Sequence, residues 1–371
     1  MEGLVIWAYS YCRSTLAFYN ELGKTWGIPT RLIIWKEISK ARITTGFNEN
    51  EFDDISLTYL GNDYSKAISI LYKHKTWNHI WGAYQSVPIY QKLILEAKKL
   101  GCSIGIASES PCNMSHGAHR ILKYIYINYL LKYKVKKQID SSDFIINFSG
   151  NDSRLLEKIG WPKEKIIPCG YYPPKITGST EKKRDEDNWN DFSILLTGKH
   201  EWHRSPILLL KALKILSKKG CYPKCIITQD GPQLDFLRKY AKNNKLKNVE
   251  FLGFVTLNKL IELYEKCSVY IGTGNNEPWG MRLNDALNCG SPLIVNEGMG
   301  GVKLIEDYNC GLSFKENDYV DLAKKIELLM ANKEMYLEIS NNAFAAINNI
   351  SPKNKAAEIT DYIKDNFYNW K

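Results

Sequence analysis

Two carboxylates eight positions apart, Glu277 and Asp285, stand in the stretch NNEPWGMRLNDALNCGSP at residues 275–292. The preceding SVYIGTG reads as a strand, NNEPWG as the turn beyond its carboxyl end, and MRLNDALNCG as a helix stopped by Gly290. Glu277 then sits at the strand mouth, and Asp285 just over one turn into the helix. Between them the backbone N–H groups of Gly280, Met281 and Arg282 open the helix, where aligned peptide dipoles favour phosphate. A ligand with hydroxyls at both ends and phosphate between them satisfies all three features, and a sugar nucleotide is such a ligand. Taken alone, the pair reads more simply as a surface turn acid and a solvated helix acid.

A second loop changes that balance. LLTGKHEWHRSP (195–206) follows a predicted strand and precedes the helical ILLLKALKIL, so Gly198 closes the strand and Lys199 and Arg204, five residues apart, can both reach a diphosphate. Two such loops at the strand ends of one sheet are harder to dismiss than either alone. In the first half, ASESPCNMSHGAHR (107–120) also follows a predicted strand and offers Glu109, His116 and His119. A lone loop histidine is more often structural than catalytic. Glu109 and His119 are acceptor-side candidates, and Glu109 is equally able to cap the helix that follows.

The elements that must position these loops are legible as short apolar runs alternating with amphipathic stretches. LVIWAY (4–9), RLIIW (31–35), HIWGAY (79–84), SIGIAS (103–108) and DFIINFS (143–149) are apolar at successive positions, as in strands covered on both faces. Interleaved helical stretches such as 86–100 make parallel βαβ units of them. The pattern breaks at YYPPKITGSTEKKRDEDNWND (171–191), whose proline pair, glycine and mixed charges resemble a solvated connection. It resumes with FSILLTG (192–198), KCIITQDG (224–231), VEFLGF (249–254), SVYIGTG (268–274), SPLIVN (291–296) and GLSF (311–314).

The expectation is an α/β protein of two doubly wound domains. An N-terminal, acceptor-side Rossmann-like domain covers 1–175, a linker 176–191, and a donor-binding domain 192–350. A C-terminal helix over 351–371, redirected at Pro352, leans back on the first domain. Such sheets bind ligands at the carboxyl ends of their strands, so two facing each other create an interdomain cleft. The segment YSYCRSTLAFYN (9–20) is expected as a loop after the first strand, without glycines that would allow close backbone approach.

Composition bounds the partners. The chain of 371 residues suits two domains, with 44% hydrophobic and 24% charged residues. Nine cysteines, at 12, 102, 112, 169, 221, 225, 267, 289 and 310, show no C-x-x-C spacing and read as reduced thiols of a cytosolic protein. No window reaches the roughly 18 apolar residues of a spanning helix, and EGLVIWAYSY after Met1 lacks the features of a signal peptide. Net charge is +10, and residues 1–180 hold 23 Lys and Arg against 15 Asp and Glu, which concentrates the excess in the first half. A partner bearing phosphates follows, whether nucleic acid, an anionic membrane or a phosphorylated substrate. HRILKYIYINYLLKYKVKKQ (119–138) carries six cations and no acid, interleaved with Tyr124, Tyr126, Tyr129 and Tyr133. Such a helix can lie on an anionic membrane surface, with a partly buried helix bearing a solvated basic end as the plainer alternative.

Residues 192–314 resemble the donor-binding half of retaining glycosyltransferases of family 4, which have the GT-B fold. The likeness is carried by GKHEWHRSP, DGPQLDFLRKYA, VEFLGFV and, above all, EPWGMRLNDALNCGSPLIV with GMGG just after it. The family's pair of glutamates separated by seven residues appears here as Glu277 and Asp285, with Trp279 in the aromatic position. Asp285 is one methylene shorter than the family's glutamate, and Arg204-Ser205 replaces the commoner Lys-Gly.

The resemblance implies that Glu277 contacts donor-sugar hydroxyls, Asp285 takes the ribose position, and Lys199 and Arg204 neutralise the diphosphate leaving group. A first-domain histidine, for which His116 is the candidate, would approach the donor sugar. It further implies a hexosyl transfer that retains anomeric configuration without a metal or other cofactor, from a UDP- or GDP-sugar to a glycan or lipid-linked glycan. Bacterial lipopolysaccharide, O-antigen or capsule synthesis is the implied setting, in the cytoplasm or at the inner face of its membrane. Two other classes fit part of the chain. A sugar-nucleotide 2-epimerase of related fold would need acid/base groups at the reacting carbon. A non-catalytic nucleotide- or nucleic-acid-binding protein would suit the basic first half, although no nucleic-acid motif is present.

Overall fold

The computed structural model describes residues 2–10, 12–36, 56–82, 84–85, 87–115, 117–150, 153–176, 178–179 and 182–370. They divide into two compact units, one of residues 1–111, 122–174 and 351–371, the other of residues 112–121 and 175–350.

In the first unit seven parallel strands, β1 (Leu4–Ser10), β2 (Thr30–Lys36), β3 (Ser56–Tyr59), β4 (Asn78–Gly82), β5 (Ile104–Ser108), β6 (Phe144–Asn147) and β7 (Ile166–Pro168), form one sheet in the order β3-β2-β1-β4-β5-β6-β7. Helices α1 (Arg13–Trp26), α2 (Tyr64–Lys73), α3 (Pro88–Lys99), α4 (Ala118–Ile125), α5 (Leu131–Ser141) and α6 (Arg154–Ile159) lie between strands; the first four residues of α4 group with the second unit, and a π-helical turn over Tyr126–Leu130 joins α4 to α5. Uniformly apolar strands are buried on both faces. Val5, Trp7, Trp81, Ile106 and Ile145 pack to one side, while Leu4, Ile6, Ile80, Phe144 and Ile146 pack to the other. Trp7 and Trp81, neighbours in register on β1 and β4, stack with centroids 4.4 Å apart. His79 lies buried beside them, accepting from Trp7 Nε1 at 3.0 Å, and burial pushes its ring down to about 4.

In the second unit six parallel strands, β8 (Ser193–Leu196), β9 (Lys224–Thr228), β10 (Val249–Gly253), β11 (Val269–Gly272), β12 (Leu293–Asn296) and β13 (Gly311–Phe314), run in the order β10-β9-β8-β11-β12-β13. The helices are α7 (Glu186–Asn190), α8 (Ile207–Lys218), α9 (Leu234–Asn243), α10 (Leu257–Lys266), α11 (Arg282–Asn288), α12 (Lys303–Tyr308), α13 (Tyr319–Ala331) and α14 (Lys333–Ala346). All six predicted strands are present. The order reverses between β8 and β11, and a doubly wound sheet binds its ligand at such a switch point.

A last helix, α15 (Pro352–Asn366), has Pro352 in its first turn and Ser351 as its N-cap, and it belongs to the first unit. Ala356, Ile359, Ile363 and the fully buried Trp370 join the apolar cluster that includes Leu16, Leu22 and Trp26 of α1. Trp370 Nε1 donates to Asp143 Oδ2 at 2.9 Å.

Three expectations are corrected. The segment 9–20 is not a loop throughout, since Tyr9 and Ser10 end β1 and α1 begins at Arg13. The edge strands β3 and β7 were not foreseen, because one is incompletely buried and the other spans three residues ending in proline. The charged run before β8 is not uniformly solvated, because Arg184 is fully buried. Its guanidinium donates to the carbonyls of Cys267 (2.7 Å), Lys182 (2.6 Å), Cys289 (3.2 Å) and Tyr264 and to Ser291 Oγ (2.8 Å). Three of those carbonyls lie in the closing turns of α10 and α11, where unsatisfied acceptors and the negative dipole end favour a cation.

Candidate active site

The carboxyl ends of β8 and β11 open into one pocket in the second unit, lined among others by Gly198, Lys199, His200, Arg204, Tyr270, Thr273, Glu277, Gly280, Arg282 and Met299. The structure thus brings together Gly198, Lys199, Arg204, Glu277, Gly280 and Arg282 from the two loops. The lining holds three permanent cations, Lys199, Arg204 and Arg282, against the single carboxylate of Glu277.

Local chain geometry explains how the loops meet. β8 ends at Leu196 and the chain turns at Gly198, whose φ of +116° is costly for any residue with a side chain. A Cβ there would also lie 2.7 Å from Arg204 Nη1, so the missing side chain is what lets the guanidinium fold back over the turn. The loop is pinned to the end of β11 by Thr273 Oγ1, which donates to the Arg204 carbonyl at 2.7 Å, and by Asn275 N–H to the His203 carbonyl at 2.6 Å. Arg204 Nη2 then stands 3.7 Å from Glu277 Oε1.

The turn bearing Glu277 is fixed from the other side by the GMGG segment. Gly300 N–H donates to the Glu277 carbonyl (3.1 Å) and Gly301 N–H to that of Trp279 (2.9 Å), with a parallel bridge between Glu277 and Met299. Trp279 is buried beneath this turn, and its Nε1 donates to Asn284 Oδ1 at 2.7 Å. An aromatic anchor locked to the helix behind it holds the Glu277 backbone in place. Helix α11 starts at Arg282 with Met281 as N-cap, so Asp285 falls inside the first turn rather than just beyond it. Asp285 Oδ2 accepts from Arg282 Nη1 at 3.3 Å, and Met281 is exposed.

Burial shapes the protonation of the remaining groups. The Tyr270 hydroxyl, which donates to the Thr197 carbonyl at 3.3 Å, is raised far above its ordinary value by burial and stays neutral. His200 is a pocket residue that the sequence reading passed over. Burial lowers its pKa, with the carbonyls of Gln229 and Thr228 opposing, so the ring is neutral at pH 7, and its buried Nε2 has no hydrogen-bond partner. Its position directly after Lys199 in the GKHEWHRSP motif was the available signal.

Of the candidates from the first half of the sequence, Glu109 falls in the first unit and position 119 groups with the second. His116 lies outside the described residues. Glu109 Oε1 accepts from the Tyr171 hydroxyl at 2.9 Å, and burial raises its carboxyl pKa. It does not cap α4, which begins nine residues later at Ala118. His119 is exposed on α4. Among the described residues no group of three or more His, Cys, Asp or Glu is placed to hold a metal ion, and the nine cysteines form no disulfide.

Comparison with known proteins bears on this geometry. Residues 179–346 match the family model of glycosyl transferases group 1. The chain is similar to the N,N'-diacetylbacillosaminyl-diphospho-undecaprenol alpha-1,3-N-acetylgalactosaminyltransferase of Campylobacter jejuni, 23% identical over 58% of this chain and 57% of the relative. It is also similar to the alpha-1,4-N-acetyl-D-galactosaminyltransferase of the same organism acting on GalNAc-alpha-(1->4)-GalNAc-alpha-(1->3)-diNAcBac-PP-undecaprenol, 32% identical over 48% and 47%. The chain therefore spans about half the length of the curated relatives it matches. Anabaena HepE in its crystal structure with UDP superposes with a TM-score of 0.66 at 14% identity, covering 98% of this chain and 100% of that one. Residues 179–346 thus carry a likeness to glycosyl transferases group 1, on a chain of GT-B fold whose two units are each a doubly wound parallel sheet.

Proposed function

We propose that the chain transfers a hexosyl group from a nucleoside-diphosphate sugar to a hydroxyl of a lipid-linked glycan, with retention of anomeric configuration, at the cytoplasmic face of a bacterial membrane during surface-polysaccharide assembly. The observation that carries this reading is the pocket at the β8/β11 switch point, where Lys199, Arg204 and Arg282 share the lining with one carboxylate. Such a lining suits a ligand with two phosphates and a few hydroxyls to orient.

In this reading Glu277 accepts from hydroxyls of the donor sugar, Lys199 and Arg204 neutralise the charge that grows on the leaving diphosphate, and Asp285 holds the ribose. Gly198, Gly280 and Met281 supply backbone around the phosphates, joined by the Arg282 side chain. Fixed cations in a partly desolvated pocket need no reorganisation as charge develops, so the chain itself supplies the stabilisation and no metal is required. His116 remains proposed as the first-domain histidine near the donor, with Glu109 and His119 on the acceptor side. UDP is the first nucleotide to try, because the Anabaena neighbour is described with UDP, and GDP the second. The acceptor class follows the undecaprenol-linked glycans in the names of the two Campylobacter relatives.

The test is thermal unfolding with UDP, GDP and their sugars, with and without EDTA, beside a transfer assay. One diphosphate should raise the melting temperature by mass action and keep doing so in EDTA. Glu277→Gln should cut transfer about 100-fold or more while still being stabilised by the free diphosphate. Wild-type transfer by that variant, or no shift with any nucleotide, would overturn the assignment.

A further inference from the structure

Helix α4, the π turn and α5 form one continuous rod with two apolar faces, of which the fold uses one. Along the inner face Ile127, Leu131, Val135 and Ile139 recur every fourth residue and are buried. That stripe begins only at the π turn. In α4 no residue is buried. A second stripe, Ile121, Leu122, Ile125, Tyr129, Leu130 and Tyr133, follows the three- and four-residue spacing of a helix face, and every member is exposed. Leu122 is 67% exposed and Tyr133 71%, values that leave most of each residue in water. Single exposed apolar residues need no explanation, but a contiguous row of six does.

Charge identifies what covers the row. Residues 119–138 contain Arg120, Lys123, Lys132, Lys134, Lys136 and Lys137 and no acid. Lys158 joins them from α6, donating to Asn128 at 2.6 Å and standing over the Tyr129 ring. Lys132 and Lys134 lie over the rings of Tyr133 and Tyr126, so their stems run beside the apolar row with the ammonium groups at its margin. A second copy of this face would bring the same cations together, and a nucleic acid would leave the aliphatic row without a partner. An anionic lipid surface satisfies both parts, with hydrocarbon for Ile121, Leu122, Ile125 and Leu130, interfacial depth for the tyrosines, and headgroup phosphates for the lysines. No described helix is long and apolar enough to cross a membrane.

We infer that the α4–α5 rod is a membrane-docking surface that inserts its outer apolar stripe into the interface of an anionic bilayer and holds the chain there by its flanking lysines. This deepens the lipid-linked acceptor reading and rests on it for its purpose, since an enzyme held at the bilayer meets a polyprenyl-anchored glycan in two dimensions. The docking itself is separable from transfer.

The experiment is co-sedimentation of the full chain with vesicles of phosphatidylglycerol and phosphatidylcholine, and with phosphatidylcholine alone, across a salt series. Hydrogen exchange on the bound protein locates the contact. Wild type should bind the anionic vesicles, with exchange slowed over residues 118–133. Ile121→Ser/Leu122→Ser/Ile125→Ser, which replaces only exposed side chains, should lose about tenfold or more in vesicle affinity at every salt concentration. Lys132→Gln/Lys134→Gln/Lys136→Gln/Lys137→Gln should lose most at low salt and little at high salt. Glu277→Gln should bind vesicles as wild type does, so that a failed donor site and a failed docking surface give different results. Wild-type vesicle affinity in both rod variants would overturn the inference. So would protection confined to other segments, or a concentration-dependent dimer in light scattering that the triple serine variant abolishes.

Discussion

Glu277 is held through its neighbours rather than by its own rotamer alone. Thr273 and Asn275 tie the Arg204 loop to the end of β11, and Gly300 ties the Glu277 backbone to the end of β12. Beside the carboxylate, Gly274 has a backbone that alanine can adopt, yet an added Cβ would collide with Glu277 Oε2. Gly274→Ala should therefore move the carboxylate by a fraction of an ångström to an ångström while leaving the β11 backbone in place. Misplacement on that scale lowers a rate by ~10²-fold. Diphosphate affinity, which rests on Lys199 and Arg204, should change only a few-fold. Steady-state kinetics and a UDP titration separate the two, and an unaltered rate would show that the carboxylate position is not critical. The residues themselves were legible, because Glu277, Lys199 and Arg204 sit in loops flanked by clear strand and helix patterns. Contacts made across loops were not. The Thr273 hydroxyl reaching Arg204, sixty-nine residues away in sequence, has no local signature. His200 was hidden because a neutral buried histidine resembles any polar loop residue until its surroundings are known.

At the scale of elements, strands covered on both faces announce themselves more plainly than edges do. The inner strands β8, β11 and β12 of the second sheet are buried apolar runs, whereas β3, at the margin of the first sheet, presents Ser56 and Thr58 among its four residues. The same limit applies to Arg184. Its neighbours Lys182, Lys183, Asp185 and Glu186 are exposed, as the composition suggests, yet Arg184 turns inward to carbonyls up to 105 residues distant. A guanidinium with five donors in a plane suits the closing turns of two helices, and an ammonium with three does not reproduce it. Arg184→Met would leave the buried carbonyls of Cys267 and Cys289 without this donor, while that of Tyr264 keeps the Ser291 hydroxyl. Unsatisfied buried acceptors cost about 1–3 kcal/mol each, so a loss of about 3 kcal/mol or more is expected. Because α11 carries Arg282 and Asp285, UDP should also stabilise the variant less than wild type. Thermal unfolding with and without UDP checks both parts. Wild-type stability in Arg184→Met would mean that water replaces the guanidinium.

At the scale of the whole molecule, the two units differ in how the chain completes them. The second is built almost entirely from the continuous stretch 175–350, and the first takes its last helix from residues 351–371. Proline at 352 and the helical pattern after it marked that helix in the sequence, but nothing local shows that Trp370 ends fully buried against Trp26 and Phe144. Deleting 351–371 strips Ile359, Ile363 and Trp370 from an apolar face that includes Leu16, Leu22 and Trp26, and it removes the donor to Asp143. Losing one buried tryptophan alone costs about 3–5 kcal/mol, a large share of the stability of an ordinary domain. The chain ending at 350 should accordingly lose exchange protection over β1, β4 and β5 while β8, β11 and β12 stay protected, and UDP should still raise the melting temperature of what remains folded. Trp370→Ala should give a milder form of the same asymmetry. Equal loss of protection in both sheets would mean that the units unfold as one, and undiminished protection in the first would mean that α1 needs no cover from α15.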